Sequence, residues 1–332
     1  LTNSHFDPLF GMRKFFLLPK RITPINLPSR LKTAAPLADL QPDRAHRWPG
    51  NWRKYALSLA ETAQNKAAED ERPAEFVEGL AKGLAILECF DAEHAEMTLS
   101  EVARRVSLSP AAARRSLITL QTLGYVGQRN KRFHLRPKVM TIGSAFYFSA
   151  RVDEVLQPDL RELVQRFGDA SSIGTLEGGD VIYIAHYSVQ RARRAAAVVG
   201  ARYPAYATSL GRVLLAGLSD ADLNAYIGTV EPVALTSKTI TDRKELHEEI
   251  LKVRAAGYAT TVDQLDYGIT ALAVPIRDHA GRTVAALNSS GYSGVVTPDS
   301  LIEERLPTLR ASASHIAASI SRYPVLQSIM GI

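Results

Sequence analysis

From Glu75 the apolar positions fall at helical spacing, with Phe76, Leu80, Leu84 and Leu87 on one stripe and Glu78, Lys82 and Glu88 facing away from it. This predicts a first helix. Thr98-Leu99-Ser100-Glu101 has the form of a capping box, in which the Thr98 hydroxyl accepts from the Glu101 amide and Glu101 reaches back. A second helix therefore starts there, with Leu99, Val102 and Val106 as its apolar positions. After Ser107-Leu108, Ser109 is a good N-cap and Pro110 a good first helical residue, so a third helix runs to about Leu123 and stops at Gly124. A strand over Tyr125-Val126-Gly127-Gln128, a polar turn Arg129-Asn130-Lys131 and a returning strand from Arg132 to Leu135 follow. Together these elements spell a winged helix-turn-helix.

Beyond it, Val139, Ile142, Ala145 and Phe146 predict a linker helix from Pro137 to about Ser149. A further helix from Val152 to Phe167 carries Val155, Leu160, Leu163, Val164 and Phe167. Strands at Ser171 to Leu176 and Val181 to His186 are joined by Glu177-Gly178-Gly179-Asp180, whose glycines suit a turn needing positive φ. More strands are expected near Ala195 to Val199, Tyr258 to Val262, Ala271 to Ile276 and Thr283 to Asn288. Helices are expected at Ser209 to Leu218, Asp220 to Ile227, Arg243 to Ala256 and Pro298 to Arg322. Hairpins with intervening helices argue for an antiparallel-rich α+β sensory domain rather than a doubly wound parallel sheet.

Residues 1–74 read differently. Their periodicity is weak and Pro8, Pro19, Pro24, Pro28, Pro36, Pro42 and Pro49 interrupt regular elements, so a mostly flexible extension is expected, with one candidate helix from Asn51 to Ala68. The expected division is extension 1–74, winged helix-turn-helix 75–136, linker helix 137–150 and effector domain 151–325.

Composition sharpens this picture. The 332 residues hold 46% hydrophobic and 22% charged side chains, which excludes a wholly disordered chain. No apolar run approaches the ~20 residues of a membrane span. The short Phe15–Leu18 run is stopped by Pro19-Lys20-Arg21 and gives no export signal, and the single cysteine, Cys89, fits a reducing, cytoplasmic setting. Net charge is +5 over residues 1–74, +3 over 75–150 and −2 over 151–332. Between Thr98 and Lys138 nine Lys or Arg stand against one acid, Glu101, the footprint of a polyanion partner. Behind the cap Ser109, itself a candidate DNA contact, the small residues Ala111 and Ala112 let the third helix approach a major groove closely, and Arg115, with Thr119 on the same side and Arg114 flanking, is placed for base edges. Arg129, Lys131 and Arg132 on the wing suit phosphates or the minor groove.

The runs Glu75-Phe-Val-Glu-Gly-Leu-Ala-Lys-Gly-Leu-Ala-Ile-Leu-Glu, Thr98-Leu-Ser-Glu-Val-Ala-Arg-Arg and Leu108-Ser-Pro-Ala-Ala-Ala-Arg-Arg-Ser-Leu resemble the DNA-binding half of IclR-family transcriptional regulators, above all the PcaR/PcaU/PobR-like branch. Arg202-Tyr-Pro-Ala-Tyr-Ala-Thr-Ser-Leu-Gly-Arg-Val-Leu-Leu-Ala, Leu272-Ala-Val-Pro-Ile and Ala285-Ala-Leu-Asn-Ser-Ser-Gly resemble its second half. The resemblance spans about Glu75 to Arg322. It implies a GAF-like effector domain, homodimers or homotetramers, promoter duplex DNA as one partner, and a small organic acid, commonly aromatic, as the other. The regulated genes of this branch serve aromatic catabolism. The chain departs from the family pattern at Thr270, which replaces the usual arginine, and at Ala207, which replaces a cysteine.

The effector pocket is expected where the loop from Ala205 to Gly211 meets the Asp263–Ala271 segment and the strand carrying Asn288. Thr208 and Ser209 at a helix N-terminus suit a carboxylate, with a helix cap as the plain alternative. Tyr206 and Leu210 offer apolar walls, and Asn288, placed inward by alternation with Ala286, either distinguishes substituents on the ligand or is a satisfied turn or core amide. Asp263 and Asp266 either contact ligand or stabilise the bend before Gly268, and Ala271 closes the set. No cofactor or metal is expected, because nucleophile-elbow, zinc-protease, Walker and dinucleotide patterns are absent from the sequence. The remaining rival to a ligand-controlled regulator is a DNA-binding oligomerisation scaffold with a degenerate pocket.

Overall fold

The computed structural model describes residues 73–189 and 197–329. Its first elements are α1 (Glu78–Glu88), β1 (Met97–Thr98), α2 (Leu99–Arg105), α3 (Pro110–Thr122), β2 (Val126–Arg129) and β3 (Arg132–Leu135). The predicted caps set these boundaries. Thr98 N–H donates to Glu101 Oε2 at 2.7 Å, the Glu101 amide donates to Thr98 Oγ1 at 3.3 Å, and Ser109 Oγ accepts from the Ala112 amide at 3.2 Å. Gly124, at φ +83°, turns the chain out of α3, a conformation that costs a glycine little. The β2–β3 hairpin closes on Asn130 and Lys131, both at positive φ, which is the two-residue turn that matches strand twist. β1 was not expected; its two residues pair with Phe133 and Arg132, giving the order β1-β3-β2. Ile86, Val102, Leu117, Leu120, Val126 and Phe133 form the core beneath.

The first helix corrects an expectation. Of its predicted apolar stripe only Leu87 packs against this core: Leu80 is 63% and Leu84 47% exposed, Phe76 lies exposed just before the helix, and Ile86 is the residue buried. After a 3₁₀ turn at Pro137–Val139, α4 (Met140–Ser149) is strongly apolar and yet has no buried residue. The single helix expected from Val152 to Phe167 is two, α5 (Val152–Val155) and α6 (Gln157–Phe167). Pro158 explains the break, since its ring removes a helical N–H and crowds the preceding turn.

The second half is a six-stranded sheet of β4 (Ala170–Glu177), β5 (Asp180–Ser188), β6 (Arg202–Pro204), β7 (Ala259–Val262), β8 (Ile269–Arg277) and β9 (Thr283–Tyr292). The order is β6-β5-β4-β9-β8-β7 and every pairing is antiparallel. On one face α6 and α10 (Pro298–Ile320) pack with Ile173, Leu272, Val274 and Leu287; α11 (Pro324–Ile329) follows them. On the other lie α7 (Ser209–Ala216), α8 (Asp220–Thr229) and α9 (Arg243–Ala256), over Val181, Tyr183, Ala259, Ala273 and Ala286.

The strand expected at Ala195 to Val199 is corrected. Residues 195 and 196, like residues 1–72 with the candidate helix, lie outside the described residues, and 197–199 form no strand. The edge strand is β6 instead, whose Arg202, Tyr203 and Pro204 pair with Ile182, Val181 and Asp180.

Candidate functional site

Two groups of residues carry the expected chemistry. On α3, Ala113, Leu117 and Leu120 are buried, so Ala111, Arg114, Arg115 and Thr119 are exposed on the side away from the core. Arg129, Lys131 and Arg132 stand together on the wing, also exposed. They are not equivalent. Arg132 donates to the Glu96 carbonyl at 3.0 Å and pairs with Glu101 at 3.6 Å, so its guanidinium ties β3 to the start of α2. Arg105 is likewise turned inward, onto Asp91 and, at 2.7 Å, onto the Cys89 carbonyl. Lys138 donates to the Leu123 carbonyl at 2.8 Å and sits 4.8 Å from the Tyr125 ring centre, closing the end of α3. Among the expected contacts, Arg114, Arg115, Arg129 and Lys131 are exposed and form no ion pair among the described residues. Burial pushes the nearby Cys89 thiol up to about 12, leaving it protonated and inert.

The second group gathers at the start of α7. Thr208 Oγ1 accepts from the Gly211 amide at 3.0 Å, so its hydroxyl is a helix cap, and Ser209 and Leu210 are buried beside it. Gly211 is required there: a Cβ would run into the Ala205 backbone. The Tyr206 hydroxyl accepts from the Val233 amide at 3.0 Å and donates to its carbonyl at 3.2 Å; burial pushes this phenol up to about 12. Asp263, at φ +54°, accepts from the Gly268 amide at 2.7 Å and from Ser293 Oγ at 2.8 Å. Its carboxylate holds the bend, the second of its two expected roles. Asp266 accepts from the Tyr267 amide at 2.8 Å, Ala271 is buried on β8, and Asn288 is buried on β9 with Oδ1 accepting from the Ser172 amide at 2.8 Å.

What joins these pieces was not singled out in the sequence. Arg212, 2% exposed, donates from Nε to the Tyr206 carbonyl at 3.1 Å and from Nη2 to Gln264 Oε1 at 2.8 Å, and it lies 3.6 Å from Glu249 of α9. Burial pulls its guanidinium pKa down, while Glu249 and Glu245 oppose that shift. Thr236 and Thr239 donate to the Asp263 and Gln264 carbonyls at 2.5 and 2.7 Å, and the Ser237 amide donates to the Tyr267 hydroxyl at 2.9 Å. The 236–239 turn thus straps the 263–268 segment over the start of α7. The available signal was a lone arginine inside the apolar run Leu210–Leu215. The Arg212–Gln264 bond joins the predicted loop to the predicted segment, and α7 lies against β9, the strand that carries Asn288. Two small clefts lie elsewhere, one beside Arg277, Ala317 and Gln327, the other beside Val213, Arg254 and Pro275.

Comparison with known proteins decides what this pairing of reader and sheet domain is. A family described as bacterial transcriptional regulator IclR C-terminal matches residues 147–318, and the IclR helix-turn-helix domain matches residues 79–130. The chain belongs to the IclR family. Its relatives include the Pca regulon regulatory protein of Pseudomonas putida, 38% identical over 72% of this chain and 82% of that one. The p-hydroxybenzoate hydroxylase transcriptional activator of Acinetobacter baylyi is 34% identical over 76% of this chain and 96% of its own. A crystallised homologue from Rhodococcus sp. RHA1 is 41% identical, with a TM-score of 0.63 over 74% of this chain and 99% of that chain. These likenesses set the protein in the PcaR/PcaU/PobR-like branch of IclR regulators, a family of transcriptional regulators and not of enzymes. Among the described residues no helix is long and apolar enough to cross a membrane.

Proposed function

We propose that this IclR regulator binds promoter DNA through residues 75–136 and is controlled by a small aromatic acid held in a GAF-like domain over residues 151–325. The observation that carries the DNA half is α3, which buries Ala113, Leu117 and Leu120 and leaves Ala111, Arg114, Arg115 and Thr119 outward. Small residues at 111 and 112 permit close approach to a major groove, Arg115 reads a base edge, and Ser109, Arg129 and Lys131 meet the backbone. Arg132 contributes through its hold on the wing.

The effector reading is supported by the relatives. One is named for activating p-hydroxybenzoate hydroxylase, an enzyme named for an aromatic acid, and another for the Pca regulon. The acid's carboxylate docks at the N-terminal turn of α7, by Thr208 and Ser209, between Tyr206, Leu210, Ala271 and Asn288. The active unit is a homodimer or homotetramer working in the cytoplasm. The exposed apolar faces of α1 (Leu80, Leu84) and α4 (Met140, Phe148) support this reading, since a monomer gains nothing by keeping them in water. The linker 137–150 carries the signal, anchored at Lys138 to the end of α3 and at Phe146 and Tyr147 to the sheet core.

The test is to select genomic fragments on the purified protein, then measure operator binding with and without 4-hydroxybenzoate and 3,4-dihydroxybenzoate. The expected outcome is a preferred operator whose occupancy or footprint changes with one of these acids. Binding of an operator that no acid alters favours the scaffold with a degenerate pocket.

A further inference from the structure

Three adjacent strands, β5, β4 and β9, place three polar side chains in one line. Register pairs Ser172 of β4 with His186 of β5 on one side and with Asn288 of β9 on the other, and Ala273 of β8 and Ala259 of β7 continue the row. Residues opposite one another on antiparallel strands leave the sheet on the same face. Ala273 and Ala259 belong to the core beneath α7, α8 and α9, so the row faces α7. Tyr187, one residue on, turns the other way and lies by Arg161 of α6. The next row on the α7 face is Ser188, Ala170, Ser290, Ala271 and Thr261. This part of the sheet is therefore carpeted with small side chains, and His186 alone rises above them.

The imidazole is held but not satisfied. Its Nδ1 lies 2.9 Å from Ser172 Oγ, while its Nε2 is buried and has no hydrogen-bond partner among the described residues. Burial holds the ring below the usual histidine range, so it is neutral near pH 7. Tyr183 stacks near it, with centroids 6.5 Å apart. A buried nitrogen left unpaired is costly, and such an atom marks a place where a bound group completes the site. A neutral imidazole presents Nε2 as a donor or an acceptor, depending on its tautomer. A phenolic hydroxyl can answer either, whereas a carboxylate only accepts.

We propose that His186, tethered by Ser172, is the specificity-determining contact for a hydroxyl on the effector's aromatic ring, with the Asn288 carboxamide beside it. This rests on the reading that the same face of the sheet takes an aromatic acid. Division of labour follows: the turn at Thr208 and Ser209 receives the carboxylate, and the polar row reads the ring substituent.

Calorimetric titration of the full chain with benzoate, 3-hydroxybenzoate, 4-hydroxybenzoate and 3,4-dihydroxybenzoate tests it. The wild type binds at least one hydroxylated acid roughly tenfold or more tighter than benzoate. His186→Leu removes that margin, weakening the hydroxylated acid by about 10- to 100-fold while benzoate changes by less than about threefold. His186→Gln restores part of it. Ser172→Ala keeps the imidazole and releases its tether, so it shows the same selective loss in smaller measure, and it carries the test if His186→Leu does not fold. Preference for the hydroxyl that survives these substitutions, or wild type that binds all four acids alike, overturns the proposal and leaves the aromatic-acid reading intact. Wild type that binds none of the four overturns both.

Discussion

Arg212 sets the tolerance of the effector region at the scale of single residues. Its guanidinium bonds the Tyr206 carbonyl and Gln264 and faces Glu249, so loss of the fork leaves several buried partners unanswered. Arg212→Met is expected to lower unfolding free energy by about 3–5 kcal/mol, as for a buried pair that loses one member, with denaturant melts as the measurement. Gly211→Ala is expected to destabilise by at least ~1–3 kcal/mol, because the added methyl meets the Ala205 backbone and neither can move aside. His186 brings a pH dependence. Its folded-state pKa lies below the unfolded one, so the unfolded chain takes up the proton first as pH falls through about 6.5. Stability from this group is complete above that pH and declines below it. Between pH 7.5 and 5.5 the melting temperature of the wild type should therefore fall relative to that of His186→Leu as the solution is acidified.

Among the elements, the reader helix and the wing are expected to make separable contributions to DNA binding. Arg115→Ala should weaken the specific operator by about 1–3 kcal/mol while barely changing binding to random duplex, and Lys131→Ala should weaken both and reduce the salt slope by about one. Titrations at several salt concentrations distinguish them; equal losses on every duplex for Arg115→Ala would remove its base-reading role. The caps at Thr98 and Ser109, the stop at Gly124 and the Arg243–Ala256 helix were legible in the sequence because local chemistry alone sets them. Elements fixed by tertiary pairing were not. β1 exists because Phe133 and Arg132 lie opposite it, and β6 because β5 offers an open edge. The sequence also placed Thr208, Asp263 and Asn288 in one neighbourhood, yet the Thr236–Thr239 strap and Arg212 bind across 25 to 52 residues of chain, a separation that leaves no periodic trace.

For the whole molecule, the unburied apolar faces of α1 and α4 have the largest consequence. The stripe of Leu80 and Leu84 looked in sequence like a core-facing pattern, and periodicity cannot tell an intramolecular core from a surface that meets another chain. Leu80→Glu together with Phe148→Asp is expected to leave the fold intact and to shift the sedimenting species toward monomer. Affinity for a two-half-site operator should then fall far more than affinity for a single half-site. Coupling of effector to DNA needs only about 1–3 kcal/mol between the two sites to alter occupancy severalfold. The most direct test of this account is operator affinity of the intact protein, measured at physiological salt with and without a saturating hydroxylated benzoate. The account predicts tight selective binding to the operator and a severalfold change in affinity, or a changed footprint, when the acid is added. No preference for the operator over random duplex, or identical affinity and footprint with bound acid, would contradict it.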